Sequence, residues 1–400
     1  MVRYILKRLF QSLLTILLVV CVVFFLMRLM PTDYFFTEDE LMKFTDQQKY
    51  AKLERMGVMK MCPVCHGTGL LSENGEPCQE CMEYSTNPSR GAGFVDRSVF
   101  AQLGDFFANM LEMRVYNEKG KIVSAIEPVN LIDYLKDPHV FENHAKMKDK
   151  YHVSMAFNLG KSIRLEKNQY VTDVILGKMS VSMSIGLIAL AVSLVLGVVL
   201  GVLQARYKDG IFDHIGTGYT VLVNAVPHLV IYTIIMIGGA SLFSLPMRYD
   251  ATVAEPWRTM VLPIVCLSIG STAGYMLWTR RYMVDELNKD YIRLAKLKGL
   301  SDRKVMFRHV LKNAFVPLAQ YLPYSILLTV GGSLLVERFF SVPGMGPELT
   351  NAISRYDLNL VQGIVLVYAT MGILGVFLGD LLMTLISPSN APRGRPAISS

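Results

Sequence analysis

Residues Asp285–Pro317 read DELNKDYIRLAKLKGLSDRKVMFRHVLKNAFVP, a strongly basic stretch between two long apolar runs. From Arg280 to Lys312 there are ten Lys/Arg against four acids, Asp285, Glu286, Asp290 and Asp302. Leu287, Tyr291 and Leu294 recur at i, i+4 and i+7 with Ala295 beside them, which predicts a short helix with one apolar stripe. Gly299 supplies the left-handed residue that ends it. Ser301 is then a natural N-cap for a second helix, in which Met306/Val310 and Phe307/Leu311 stand four apart. A charged helix pair between two membrane runs lies outside the bilayer, and its apolar faces need a surface to dock against.

The composition fits a membrane protein. The chain of 400 residues is 52% hydrophobic and only 18% charged, with mean hydropathy +0.35. The net charge of +7 comes from basic residues clustered beside apolar runs. That is the pattern of cytoplasmic loops near anionic lipid rather than of a nucleic-acid footprint. Arg3, Lys7 and Arg8 precede the first run, and Pro31 and acidic sequence follow it without a small-residue cleavage site. The first run is therefore expected to be a retained span.

A span takes roughly 20 apolar residues, and six runs qualify: about 9–27, 179–203, 218–243, 257–278, 315–336 and 360–386. The expected fold is all-α and polytopic, with six transmembrane helices. The Lys/Arg bias of the short loops puts both termini and the 280–312 loop in the cytoplasm and segment 32–178 outside. This divides the chain into a first helix (1–31), an exterior insertion of mixed α/β structure (32–155) and a five-helix core (156–390) with cytoplasmic helices at 283–313. A disordered tail (391–400) follows. Inside the insertion a helix is expected from about Thr37 to Arg55 and an amphipathic one over Asp96–Met113. Met113–Ile126 reads as a hairpin around Glu118-Lys119-Gly120, followed by a polar stretch Asp133–Lys150.

Four of the six cysteines form one cluster: Cys62-Pro63-Val64-Cys65-His66-Gly67-Thr68-Gly69, then Cys78-Gln79-Glu80-Cys81. Two CxxC turns twelve residues apart can set four thiolates tetrahedrally around Zn²⁺. Two disulfides, which suit an exterior domain, and a thiol redox pair are the alternatives. His66 reads as a solvent-exposed residue, and Cys21 and Cys266, in apolar runs, as inert core residues. Gly160-Lys161-Ser162 is the only Gly-Lys-Ser. Met155 stands where a phosphate-binding loop needs its first glycine, so the match reads as chance and no bound nucleotide is expected. No catalytic arrangement emerges from linear spacing. Within the spans, Asn224 and His228 flank Pro227, where a kink would free carbonyls and open a translocation lumen. Helix–helix hydrogen bonding is the plainer reading of these residues. Asp380, near the end of the last run, has the plain reading of an ion pair.

The segment Tyr291-Ile292-Arg293-Leu294-Ala295-Lys296-Leu297-Lys298-Gly299-Leu300, followed by His309-Val310-Leu311-Lys312-Asn313-Ala314 and Pro317, resembles the EAA-type cytoplasmic loop of ABC importer permeases. It is most similar to the dipeptide/oligopeptide/nickel branch. The N-terminal run, Leu159-Gly160-Lys161-Ser162, Phe340-Ser341-Val342-Pro343-Gly344-Met345-Gly346 and Gly379-Asp380-Leu381-Leu382 resemble further elements of that family, in order, over roughly 1–31 and 155–390. Arg293-Leu294-Ala295 replaces the general Glu-Ala-Ala, and Lys312-Asn313 stands where the general pattern has Leu-Pro. The resemblance implies a permease subunit, not an enzyme, that forms half of a translocation pathway for peptides, nickel chelates or similar small solutes. It also implies a homologous second permease, two cytoplasmic ATPase subunits, an external solute-binding protein and surrounding membrane lipid as partners. Tyr291, Leu294, Ala295, Lys298, Gly299 and Leu300 would be the ATPase-coupling residues. The cysteine segment is an insertion relative to the family; a membrane-anchored zinc or thiol sensor or oxidoreductase acting through Cys62–Cys81 is the competing reading.

Overall fold

The computed structural model describes residues 2–70, 78, 81, 93–117, 123, 126–138, 140–141 and 151–386. Contacts group the chain into two compact units: Met1–Val19, Ile175–Asn351 and Leu366–Ser400 form the first, Val20–Val174 and Ala352–Val365 the second. The expected tail 391–400 lies outside the described residues.

Among the described residues, five helical stretches are long and apolar enough to cross a membrane. They are α1 (Val2–Arg28), α6 (Val171–Arg206), α9 (Pro256–Leu287), the continuous stretch Asp302–Phe339, and α15 (Leu358–Ile386). The third expected span is instead two helices, α7 (Ile211–Ala225) and α8 (His228–Phe243), bent by 108°. Pro227 has no N–H to continue α7, and the residue before it, Val226, is extended (φ −86°, ψ 132°), as steric clash with the proline ring demands. The polytopic, mainly helical architecture thus has five such stretches and one bent pair. Close packing between α6 and α9 depends on small residues. A Cβ at Gly197 would lie 2.5 Å from Tyr275 Cβ, and one at Gly201 2.6 Å from Thr279 Cβ, so only glycines let these backbones approach.

The basic stretch forms α10 (Asp290–Leu297) and α11 (Asp302–Val305), then a π-helical turn Met306–Leu311 that runs directly into α12 (Lys312–Val330). Gly299 has φ +78°, the left-handed conformation expected of it. Ser301 stands at the N-cap, although its side chain makes no capping bond. The second expected helix is the root of the fifth span rather than a separate element, because no breaker precedes Pro317. The wide turn lies just upstream of that proline, whose missing N–H interrupts the i→i−4 ladder.

Beyond α12, α13 (Leu334–Phe339) and α14 (Met345–Ser354) frame the Phe340–Gly346 loop. Glu337 is buried and accepts from the N–H of Ser333 (3.1 Å) and of Gly346 (2.9 Å). A Cβ at Gly344 would stand 2.4 Å from the same carboxylate. The paired glycines of this loop are therefore what let backbone wrap a buried acid.

The second unit contains α2 (Glu38–Lys43) and α3 (Asp46–Arg55), each started by a reciprocal capping box, Thr37/Glu40 and Thr45/Gln48. Strands β1 (Met59–Met61) and β2 (Phe94–Asp96) pair antiparallel. The expected Asp96–Met113 helix is α4 (Val99–Asn109), and it passes into β3 (Leu111–Asn117). The partners of β3 are β4 (Val129–Asn130) and β5 (Tyr151–Phe157), in the order β4-β3-β5. The turn Glu118-Lys119-Gly120 lies outside the described residues. The polar stretch opens with α5 (Leu131–Lys136), and 142–150 are likewise outside. Phe35, Phe36, Leu53, Met59, Phe94 and Leu358 make the core of this unit.

Candidate functional site

One face of α10 is inward. Ile292 and Ala295 are buried with Met283, Val305, Val310 and Ala314 in a single apolar cluster, where burial of each large side chain stabilises by roughly 2 kcal/mol. The opposite face is also apolar but bare: Leu294 is 53% exposed, Leu297 85%, and the edge of Tyr291 is open. Lys298 and Gly299 are exposed and Leu300 is half-buried. Of the six residues expected to couple, Tyr291, Leu294, Lys298 and Gly299 are exposed, whereas Ala295 lies in the chain's own core and Leu300 packs against it. Nothing lies within 4 Å of a Cβ built on Gly299, so its glycine is required by the turn and not by space.

The Tyr291 hydroxyl binds α10 to its neighbours. It donates to the Glu286 carboxylate at the end of α9 and accepts from Asn313 Nδ2 (2.7 Å) at the start of α12, while Lys289 Nζ approaches Glu286 at 2.5 Å. Burial, then the hydrogen bond to Glu286, pushes the Tyr291 phenol up to about 12. The sequence showed Tyr291 as an apolar anchor; only the three-dimensional placement of Asn313 reveals the polar role.

Asn224 and Arg280 line an open cavity of about 610 Å³, with Gln204, Thr220 and Leu277. Arg280 grips the buried Asp213 through two bonds, Nε to Oδ1 (2.5 Å) and Nη2 to Oδ2 (2.6 Å), joining α9 to α7. Asn224 Nδ2 donates to the Thr220 carbonyl within its own helix (2.7 Å). Pro227 and His228 stand at the α7/α8 break, His228 stacking edge-on against Tyr232. Asp380 pairs with Arg8 (3.3 Å) and accepts from Gln320 (2.9 Å).

The Gly160-Lys161-Ser162 run does work of another kind. Ser162 Oγ donates to Asp357 Oδ2 (2.6 Å), and the N–H groups of Ile163, Arg164 and Leu165 converge on the same oxygen at 2.9–3.0 Å. The fully buried Asp357 also accepts from the Leu360 N–H (3.3 Å), capping α15. Four donors on one oxygen hold the approach to α6 against the start of α15.

The thiols of Cys62, Cys65, Cys78 and Cys81 are buried and free, and their sulfurs lie within 4.8 Å of one another. A tetrahedral Zn–S bond of about 2.3 Å separates sulfurs by roughly 3.8 Å; Cys62···Cys78 is 3.9 Å and Cys65···Cys81 is 3.4 Å. Backbone bonds set the two knuckles, Cys62 N–H to Gly93 O (2.9 Å) and Cys78 N–H to Gly69 O (3.0 Å). Against burial, which pushes it up, the N–H groups of Cys65 and Val64 draw the Cys62 thiol down to about 7. Burial and the surrounding thiols push Cys81 up. His66 is exposed and outside the cluster. The donor set is one that could hold a metal ion.

These features belong to a recognisable class of membrane subunit. Residues 197–391 match the binding-protein-dependent transport system inner membrane component family. The dipeptide transport system permease DppB of Bacillus subtilis is 31% identical over 275 residues, 68% of this chain and 86% of that protein. The chain belongs to this family of transport permeases. The oligopeptide permease AmiC of Streptococcus pneumoniae is 36% identical over 203 residues, 51% of this chain, which spans only 41% of AmiC. OppB of Haemophilus influenzae, an oligopeptide permease, is 30% identical over 227 residues, covering 56% of this chain and 72% of OppB.

Proposed function

We propose that this chain is one permease subunit of an ABC importer for peptides or similar small solutes, contributing half of the translocation pathway. It pairs with a homologous second permease and an external solute-binding protein, and two cytoplasmic ATPase subunits supply the energy. The observation that carries this reading is the two-sided α10. Its Ile292/Ala295 face is packed into the chain and its Leu294/Leu297 face is bare, next to the exposed Lys298 and Gly299. A short helix so built passes a push from a docked partner into the helices that Tyr291 ties together. The printed names of the relatives, dipeptide and oligopeptide permeases, favour peptide cargo.

In this reading both termini and α10 are cytoplasmic and residues 32–178 exterior. Asn224, Pro227 and His228 line the pathway, where the helix break leaves polar groups open. The four cysteines hold Zn²⁺ as a closed structural site, supported by the mutual sulfur distances and the burial of all four. The test is ATP-driven uptake of a labelled tripeptide into proteoliposomes holding the full complex. Uptake that requires ATP and is competed by unlabelled peptide supports the assignment. Absence of peptide transport alongside transport of another solute class overturns the cargo.

A further inference from the structure

Helix α1 carries a built-in depth scale. Its charge-free run extends from Leu9 to Met27, 19 residues bounded by Arg8 and Arg28. At 1.5 Å per residue that is roughly 28 Å, close to the hydrocarbon thickness of a bilayer. Arg28 therefore marks the headgroup level at the far end, and Phe24 and Phe25 stand about 4–6 Å deeper. Arg28 lies over the Phe24 and Phe35 rings at 5.1 and 5.3 Å, an aromatic setting suited to a cation at the interface.

Helix α4 of the inserted unit is docked at that depth. Its Phe106 ring contacts Phe24 (5.3 Å between centroids) and its Phe100 ring contacts Phe25 (5.9 Å, edge-on). The inner face is completed by the buried Gln102. The outer face consists of Phe100, Ala101, Gly104 and Phe107, with Phe100 76% exposed. The single charged residue of α4, Asp105, is ion-paired with Arg97. A water-facing helix side normally carries charge; this one carries two open phenylalanines and none. Val22 and Leu26 of α1, three residues before and one after Phe25, are likewise exposed.

We infer that α4 is an interfacial anchor, lying in the acyl–headgroup boundary of the membrane with Phe100 and Phe107 inserted into lipid. The occupant of its bare face is the bilayer, because the aromatic pairs fix α4 at the hydrocarbon end of α1 and an apolar helix face at that depth is a membrane-surface device. The inserted unit is thereby held flat on the membrane at a second point beside α1. This depends on the membrane assignment of α1 alone and stands or falls separately from the importer reading.

The test places tryptophan at Phe100, and separately at Phe107, in the full chain with Trp257 and Trp278 replaced by phenylalanine, reconstituted in phosphatidylcholine/phosphatidylglycerol nanodiscs. Met42→Trp, at a position 85% exposed, serves as the aqueous reference. Expected is loss of most Phe100→Trp and Phe107→Trp emission with lipids brominated near the top of the acyl chain and little with iodide, the reverse of Met42→Trp. Iodide quenching equal to the Met42→Trp reference overturns the proposal. Shielding from both quenchers also overturns it, since a protein surface then covers the face. A folded chain is confirmed in each case by an unshifted elution volume, and agreement of the two tryptophan positions is required.

Discussion

Asn313 Nδ2 lies 2.7 Å from the Tyr291 hydroxyl, which itself donates to Glu286. Three helices meet at this one oxygen: the end of α9, α10 and the root of α12. Removing the hydroxyl leaves the buried Glu286 carboxylate and an amide short of partners, which costs about 1–3 kcal/mol. Tyr291→Phe and Asn313→Ala are each expected to lower the thermal midpoint of the purified complex and to reduce solute taken up per ATP hydrolysed. The double variant should cost less than the sum of the two. The raised Tyr291 phenol adds a sign. Its contribution is present below the ordinary tyrosine value and is lost as pH climbs through about 12. The Tyr291→Phe deficit measured by thermal unfolding should therefore shrink at strongly alkaline pH and stay constant across neutrality.

Gly299 separates conformational from steric demand. With φ +78° and open space around a built Cβ, a β-branched residue there suffers only left-handed strain, about 1–2 kcal/mol. Gly299→Val is expected to reduce coupling, while Gly299→Asn, which tolerates that conformation, retains most of it. Uptake and ATPase rates in the reconstituted complex check this; equal effects of the two substitutions would point to a direct contact with the backbone instead.

The Arg280–Asp213 pair predicts a stability effect. Asp213 is buried, so Arg280→Met leaves an unpaired acid and is expected to cost about 3 kcal/mol. Adding Asp213→Asn should recover part of that loss. Thermal unfolding in detergent of the two variants and the wild type reads both steps.

The cysteine cluster predicts one zinc per chain, measured by elemental analysis of metal-replete protein. Cys65→Ser should abolish the bound metal and destabilise the inserted unit while ATP hydrolysis by the assembled complex persists. Metal content unchanged in that variant would exclude the four-thiolate site.

Much of this was legible along the chain because it rests on short spacings. Apolar run length located the spans, Gly299 the end of α10, and the CxxC pairs the thiol cluster. What escaped depends on residues brought together from far apart. Ser162 and Asp357 are 195 positions apart, and Tyr291 and Asn313 meet only once α11 and the π-turn have folded back. Ala295 belongs by spacing to the apolar stripe, yet a helix with two apolar faces leaves spacing unable to say which one is covered. Pro227 announced a kink, but its 108° size depends on the packing of α7 and α8 against other helices. The strand β5, which begins just beyond the polar stretch Asp133–Lys150, was not foreseen because its pairing with β3 is made by backbone groups that carry no sequence signature.

The most direct test of the central claim is a photo-crosslinking amino acid at Leu297, the most exposed apolar residue of α10, in intact cells. The account predicts a crosslinked product containing an ATP-binding subunit, lost when Leu294→Glu is added, and no such product from the same probe at Met42. A Leu297 probe that captures no ATPase, or that captures an exterior protein, would contradict it.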